Sequence, residues 1–115
     1  DLYLAATSKA IADKRVQLDD FVARVDRAYR WSNDHPQAFA AAMAKITGLP
    51  LEVHVAVANA THMQPVAIDD SVISGLQTTA DIYQDEGLLT KHIDVSQGFD
   101  KSFNAKRAPL TQASR

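Results

Sequence analysis

Apolar and polar positions along the chain alternate with the periods of several short elements. Residues 2–6 (Leu-Tyr-Leu-Ala-Ala) form an apolar run ending at Thr7-Ser8 and read as a short buried strand. Ser8 is placed to cap a helical turn over residues 9–14. The strongest helical signal follows at about residues 16–34, where Leu18, Phe21, Val22, Val25 and Tyr29 recur at the spacing of one buried stripe. Asp19, Asp26, Arg27 and Arg30 fall outside that stripe. Trp31 does too, so it is expected to pack against a neighbouring element at the helix end.

Pro36 suits the first turn of a third helix, because the N–H it lacks would be unpaired there anyway. Phe39, Ala42, Met43 and Ile46 supply its apolar face, and Gly48 is a ready terminator. The next element, 50–61, alternates like a strand over residues 53–58 (Val-His-Val-Ala-Val-Ala). The opening proline and the many alanines favour helix instead. Pro65 biases residues 63–68 towards extended geometry. Asp69 then caps a helix to about Glu86, with Ile68 and Ile73 in the positions of a hydrophobic staple. Val72, Ile73, Leu76, Ala80 and Tyr83 form its stripe. Gly87 ends it, with Leu88 placed to cover Tyr83. Residues 88–104 read as irregular, with a short helical turn near 96–101, and residues 105–115 as a polar tail. The expected fold is therefore mainly α, four to five helices plus one short N-terminal strand. A lone strand leaves its backbone groups unpaired, so its neighbours must come from elsewhere. The opening on Asp1-Leu2-Tyr3-Leu4, with no initiator Met, fits the same expectation of a segment of something longer.

Composition changes this picture little. The 115 residues allow one domain, and 46% hydrophobic with 23% charged residues is ordinary for a folded chain. The net charge of −2 offers no general field for nucleic acid or anionic lipid. It is unevenly spread: residues 31–90 hold one base, Lys45, against seven acids, while residues 91–115 hold five bases against two acids. Solvated faces account for such asymmetry better than a dedicated partner patch. With no cysteine, thiol chemistry and disulfides are excluded.

Candidate chemistry is sparse. His35, His54, His62 and His92 include no pair at the i, i+4 spacing of two ligands on one helical face. His54 and His62 lie eight apart, about 80° out of register on a helix. No metal site is expected. Asp69-Asp70 could suggest acid–base work, but both stand at a helix start, where free N–H groups and the macrodipole favour negative charge. Asp85-Glu86 stands near a helix end, with solvent exposure its only account. Nucleophile-elbow and phosphate-loop motifs are missing from the four glycines' surroundings. Residues 38–60, two helices around Gly48 with Ala44 before it, superficially resemble a helix-turn-helix. Yet the second helix has no Arg or Lys to meet phosphate or guanine, so no nucleic acid is expected. Tyr29, Trp31 or Tyr3 could stack on a ligand. Tyr3 is the most interesting, since clefts in α/β folds gather at strand ends. Neither catalysis nor a cofactor is expected.

Motif order adds a resemblance. Residues 3–8 (Tyr-Leu-Ala-Ala-Thr-Ser), 26–36 (Asp-Arg-Ala-Tyr-Arg-Trp-Ser-Asn-Asp-His-Pro) and 47–53 (Thr-Gly-Leu-Pro-Leu-Glu-Val) form one part. Residues 65–73 (Pro-Val-Ala-Ile-Asp-Asp-Ser-Val-Ile), 86–89 (Glu-Gly-Leu-Leu) and 93–95 (Ile-Asp-Val) complete it. The series, covering nearly all of residues 2–103, resembles the C-terminal third of the aliphatic sulfonate-binding proteins, close to the taurine- and nitrate-binding proteins. That resemblance implies a fragment (residues 1–104 plus the tail) of a two-lobed, type II periplasmic-binding-protein α/β fold. It further implies a small anionic solute and a membrane permease as partners, and a periplasmic location. Most solute-holding groups would lie upstream, so no ligand residue is carried over. The isolated chain is then expected to bind sulfonate poorly and to self-associate through uncovered apolar faces. The alternative is a free-standing helical interaction module.

Overall fold

A computed structural model describes residues 2–106, which fall into two units, one up to Pro65 and one from Val66. The first unit contains four helices: α1 (Ser8–Asp13), α2 (Arg15–Asp34), α3 (Pro36–Thr47) and α4 (Leu51–Ala60). The second contains α5 (Asp70–Asp85) and two 3₁₀ turns, Val95–Gly98 and Lys101–Lys106. No strand occurs among the described residues, and none of their helices is long and apolar enough to cross a membrane.

The strand expected at residues 2–6 is therefore absent. The segment has no regular structure, and Leu2, Tyr3 and Leu4 are all exposed. An apolar run becomes a strand only when neighbouring strands take up its backbone groups. The expected cap also shifts by one residue. Thr7, in extended geometry, accepts the Ala10 N–H at 3.1 Å through Oγ1, and Ser8 becomes the first helical residue.

The helix α2 forms over its expected span, but its buried side is rotated. Val22 and Asp26 are the buried positions, one turn apart, flanked by half-buried Leu18, Asp19, Val25 and Tyr29. Asp26 is only 2% exposed although it was expected outside the stripe, and Phe21, expected inside it, is exposed. Much of the helix's remaining charge is paired along its own length, as Arg15–Asp19 at 3.2 Å and Arg24–Asp20 at 2.8 Å, both at i, i+4.

Pro36 is the first residue of α3, as its ring geometry favours. Gly48 closes α3 in the left-handed region (φ 73°), its N–H bonding Ala44 O at 2.9 Å. Fully buried Ala40 lies on the packed side with half-buried Pro36, Met43 and Ala44, whereas Ile46 and Ala42 are exposed. Residues 51–60 are helical despite their alternating pattern. Seven of the ten residues are apolar and three of those are alanine, so the segment fits either period and alternation carries little weight there. Three residues join α3 to α4, and the two fold back on one another as an αα-hairpin, the most extensive helix pairing among the described residues.

In the second unit the Asp69 carboxylate accepts the Val72 N–H at 3.0 Å and starts α5. Ile68 and Ile73, on either side of this cap, are both half-buried. Half-buried Val72, Leu76 and Ala80 continue the expected stripe, but Tyr83 is exposed. At the other end Gly87 (φ 75°) donates to Gln84 O at 2.9 Å and Leu88 N to Tyr83 O at 2.8 Å. These are the two bonds of a Schellman motif. Leu88 stays exposed, so backbone bonds rather than an apolar cover close the helix. The single turn expected near 96–101 is two 3₁₀ turns on either side of residues 99–100. Of the tail expected at 105–115, residues 105–106 belong to the second turn, and the rest lies outside the described residues.

Candidate functional site

Each candidate side chain is held by its own local setting. His35 ends α2, where its ring stacks on Trp31 with centroids 5.4 Å apart and planes inclined by 17°. Its backbone N–H and ring Nδ1 both lie near Trp31 O, at 2.9 and 3.1 Å. Trp31 thus finds its neighbour at the helix end, in the residue one turn on. Tyr29 is half-buried on α2. Tyr3 is 42% exposed on a segment without strand neighbours, so no strand-end cleft forms around it among the described residues.

His54 is drawn to the turn of the hairpin. Its Nε2 stands 2.7 Å from Thr47 Oγ1, which also lies 2.9 Å from Met43 O and 3.3 Å from the Leu49 N–H. A hydroxyl has one proton to give. If Thr47 donates it to Met43 O, His54 must present Nε2–H, and Thr47 then accepts from both His54 and Leu49. One hydroxyl thereby joins the last turn of α3, the loop and α4.

His92 lies 3.6 Å from Asp81 through Nδ1, and both are exposed. Asp94, two residues on, is held below the ordinary aspartate value chiefly by the Ser96 hydroxyl, then by the Ser96 N–H. His62 is exposed after α4. The four histidines do not converge, and no group of three His, Cys, Asp or Glu side chains among the described residues could hold a metal.

The carboxylate pair splits between two structural tasks. Asp69 caps α5. Asp70 takes a 2.6 Å bond from Lys101 Nζ, and this hydrogen bond, followed by the lysine's charge, lowers its carboxyl below the ordinary value. Asp85 and Glu86 are exposed.

Two amide side chains organise the second unit, and no sequence pattern singled them out. Gln77 Nε2 donates to Ile93 O at 2.9 Å and to Asp81 Oδ1 at 2.8 Å, while its Oε1 accepts the Val95 N–H at 3.0 Å. Asn104 holds both backbone groups of Ile68. In the first unit Asn33 Nδ2 donates to Met63 O at 2.8 Å, tying the segment after α4 to the end of α2. Such contacts satisfy backbone groups that no helix or sheet takes up. They position loops rather than carry out chemistry.

Several large apolar side chains are also open on the surface. Leu2, Leu4, Phe21, Ile46, Leu49 and Val57 are all more than half or close to half exposed. Comparison with known protein families, with curated proteins and with solved structures finds no match to this chain.

Proposed function

We propose that the chain is the helical C-terminal portion of a solute-binding protein serving an ABC importer. The solute would be an aliphatic sulfonate or a related small oxyanion, and the setting periplasmic. The ordered series of motifs over residues 2–103 is the ground for this reading. One structural observation supports it: Val22 and Ala40 are the buried apolar residues among those described, while Leu2, Tyr3 and Leu4 stand exposed in line. Helices that cover a sheet supplied by the rest of a protein would have such uncovered sides. In this reading residues 2–6 pair as a strand only in the parent, and Tyr3 lies at the end of that strand.

Two lobes of ordinary domain size need roughly 200 residues more than this chain has. The test is to read the coding sequence upstream of Asp1 and titrate the whole protein with taurine by calorimetry. The expected result is an upstream frame with a secretion signal and a saturable heat of binding. An upstream stop codon within a few dozen residues, or a folded parent that takes up neither taurine nor other alkanesulfonates, would overturn the reading. The exposed α3–α4 face would then favour a free-standing helical interaction module.

A further inference from the structure

Residues 92–95 are tied to α5 by two arms that meet on one oxygen. Gln77, half-buried on α5, holds Ile93 O and the Val95 N–H. Its Nε2 also donates to Asp81 Oδ1 at 2.8 Å. An ionised carboxylate can only accept, so the NH₂ end of the amide must face Asp81, and Oε1 is left for Val95. Asp81 thereby sets which way round Gln77 grips the segment. His92 Nδ1 stands 3.6 Å from the same Asp81 Oδ1. That separation is too long for a hydrogen bond but well within reach of charge attraction.

The two arms differ in kind. Gln77 is an amide and has no charge to lose. The His92 ring attracts Asp81 only while it carries a second proton, and imidazole is the side chain that changes charge under mild acidity. Acids predominate around the ring. Asp81 meets it from α5, with Asp85 one turn further along the same helix and Glu86 at its end. Asp94 follows it in the chain, at the start of the 3₁₀ turn that packs on α5. Asp94 is held low chiefly by the Ser96 hydroxyl, and the charge of His92 is the least of the influences acting in that direction. Lys91, exposed and next in the chain, opposes the attraction in part. Asp81 and His92 are 50% and 63% exposed, so water screens the pair and its effect is graded, not all-or-none.

We propose that Asp81 and His92 form a proton-controlled latch, which holds residues 92–95 against α5 more firmly when the His92 ring is charged than when it is neutral. The latch does not rest on the solute-binding reading, because it lies wholly within the second unit. Its readout is the Val95 amide, whose N–H bonds Gln77 Oε1. Hydrogen exchange of the full chain is followed by NMR at a series of pH values, with the titration of the His92 ring recorded in the same samples. After correction for the intrinsic pH dependence of exchange, Val95 protection should be about two- to fivefold higher with the ring charged. Molar sodium chloride should remove that difference while leaving Val95 protected by Gln77. In His92→Gln the protection should stay at the neutral-ring level throughout, and Asp81→Asn should likewise abolish the dependence. Amides within α2 should keep their rates in each variant, which separates a loosened latch from a lost fold. Val95 protection that ignores the charge of the wild-type ring overturns the proposal without recourse to any variant. A dependence that persists in His92→Gln, or undiminished in molar salt, overturns it as well.

Discussion

Asn104 grips Ile68 from 36 positions away by both ends of its amide, accepting the Ile68 N–H at 2.9 Å and donating to Ile68 O at 2.7 Å. The arrangement copies the paired bonds of neighbouring strands with a single side chain. It also holds the residue that precedes the α5 cap. Asn104→Ala should therefore cost about 1–2 kcal/mol of local stability, the usual worth of two part-buried neutral hydrogen bonds. Hydrogen exchange is the suitable measurement: the Ile68 amide should exchange faster, while amides within α2 keep their rates. Unchanged exchange at Ile68 would show that the grip does not persist in solution.

Gly48 and Gly87 terminate helices with φ near +75°, and an added Cβ would meet nothing within 4 Å at either position. The cost of alanine is thus conformational and not steric contact, about 1 kcal/mol at each site. Gly48→Ala should fray the end of α3 and Gly87→Ala the end of α5. Amide exchange over residues 44–48 and 83–88 would locate each effect.

Lys101 holds the Asp70 carboxyl below its ordinary value. A group depressed in the folded chain adds stability above its unfolded value and loses that contribution as pH falls through the folded one. The pair's contribution should accordingly be complete at neutral pH and vanish in the acid range below the ordinary aspartate value. Carbon-detected NMR titration should show the Asp70 midpoint rising in Lys101→Ala. A midpoint indifferent to that substitution would mean that the ion pair is not formed.

Thr47 links three parts of the hairpin through one hydroxyl. Thr47→Val keeps the shape of the side chain and removes all three bonds, so it should destabilise the hairpin by about 1–2 kcal/mol. Thr47→Ser, which retains the hydroxyl, should recover most of that loss. Nitrogen chemical shifts of the His54 ring would report the change directly, since Nε2 loses its neighbour in the valine variant alone.

Helix positions were legible where termini carry their own chemistry. Pro36, Gly48, Asp69 and Gly87 act over one turn, so a short stretch of sequence contains the whole signal. The expected faces were less accurate, because periodicity ranks residues by hydropathy while burial depends on which neighbour arrives. Asp26 is buried and Ile46 exposed for that reason. Residues 2–6 had strand composition but no strand beside them. Gln77 and Asn104 act across 16 to 36 positions, a separation over which an isolated amide gives no pattern to read. The attachment of His54 to Thr47 was not readable either, because it depends on how the loop folds.

Amides neither ionise nor attract counterions. The ties made by Gln77 and Asn104 should survive molar sodium chloride, in which the Debye length shrinks to about 3 Å and exposed ion pairs such as Lys101–Asp70 fade. Brine would then separate two kinds of connector within one small unit, silencing the electrostatic ones and leaving the dipolar ones in place.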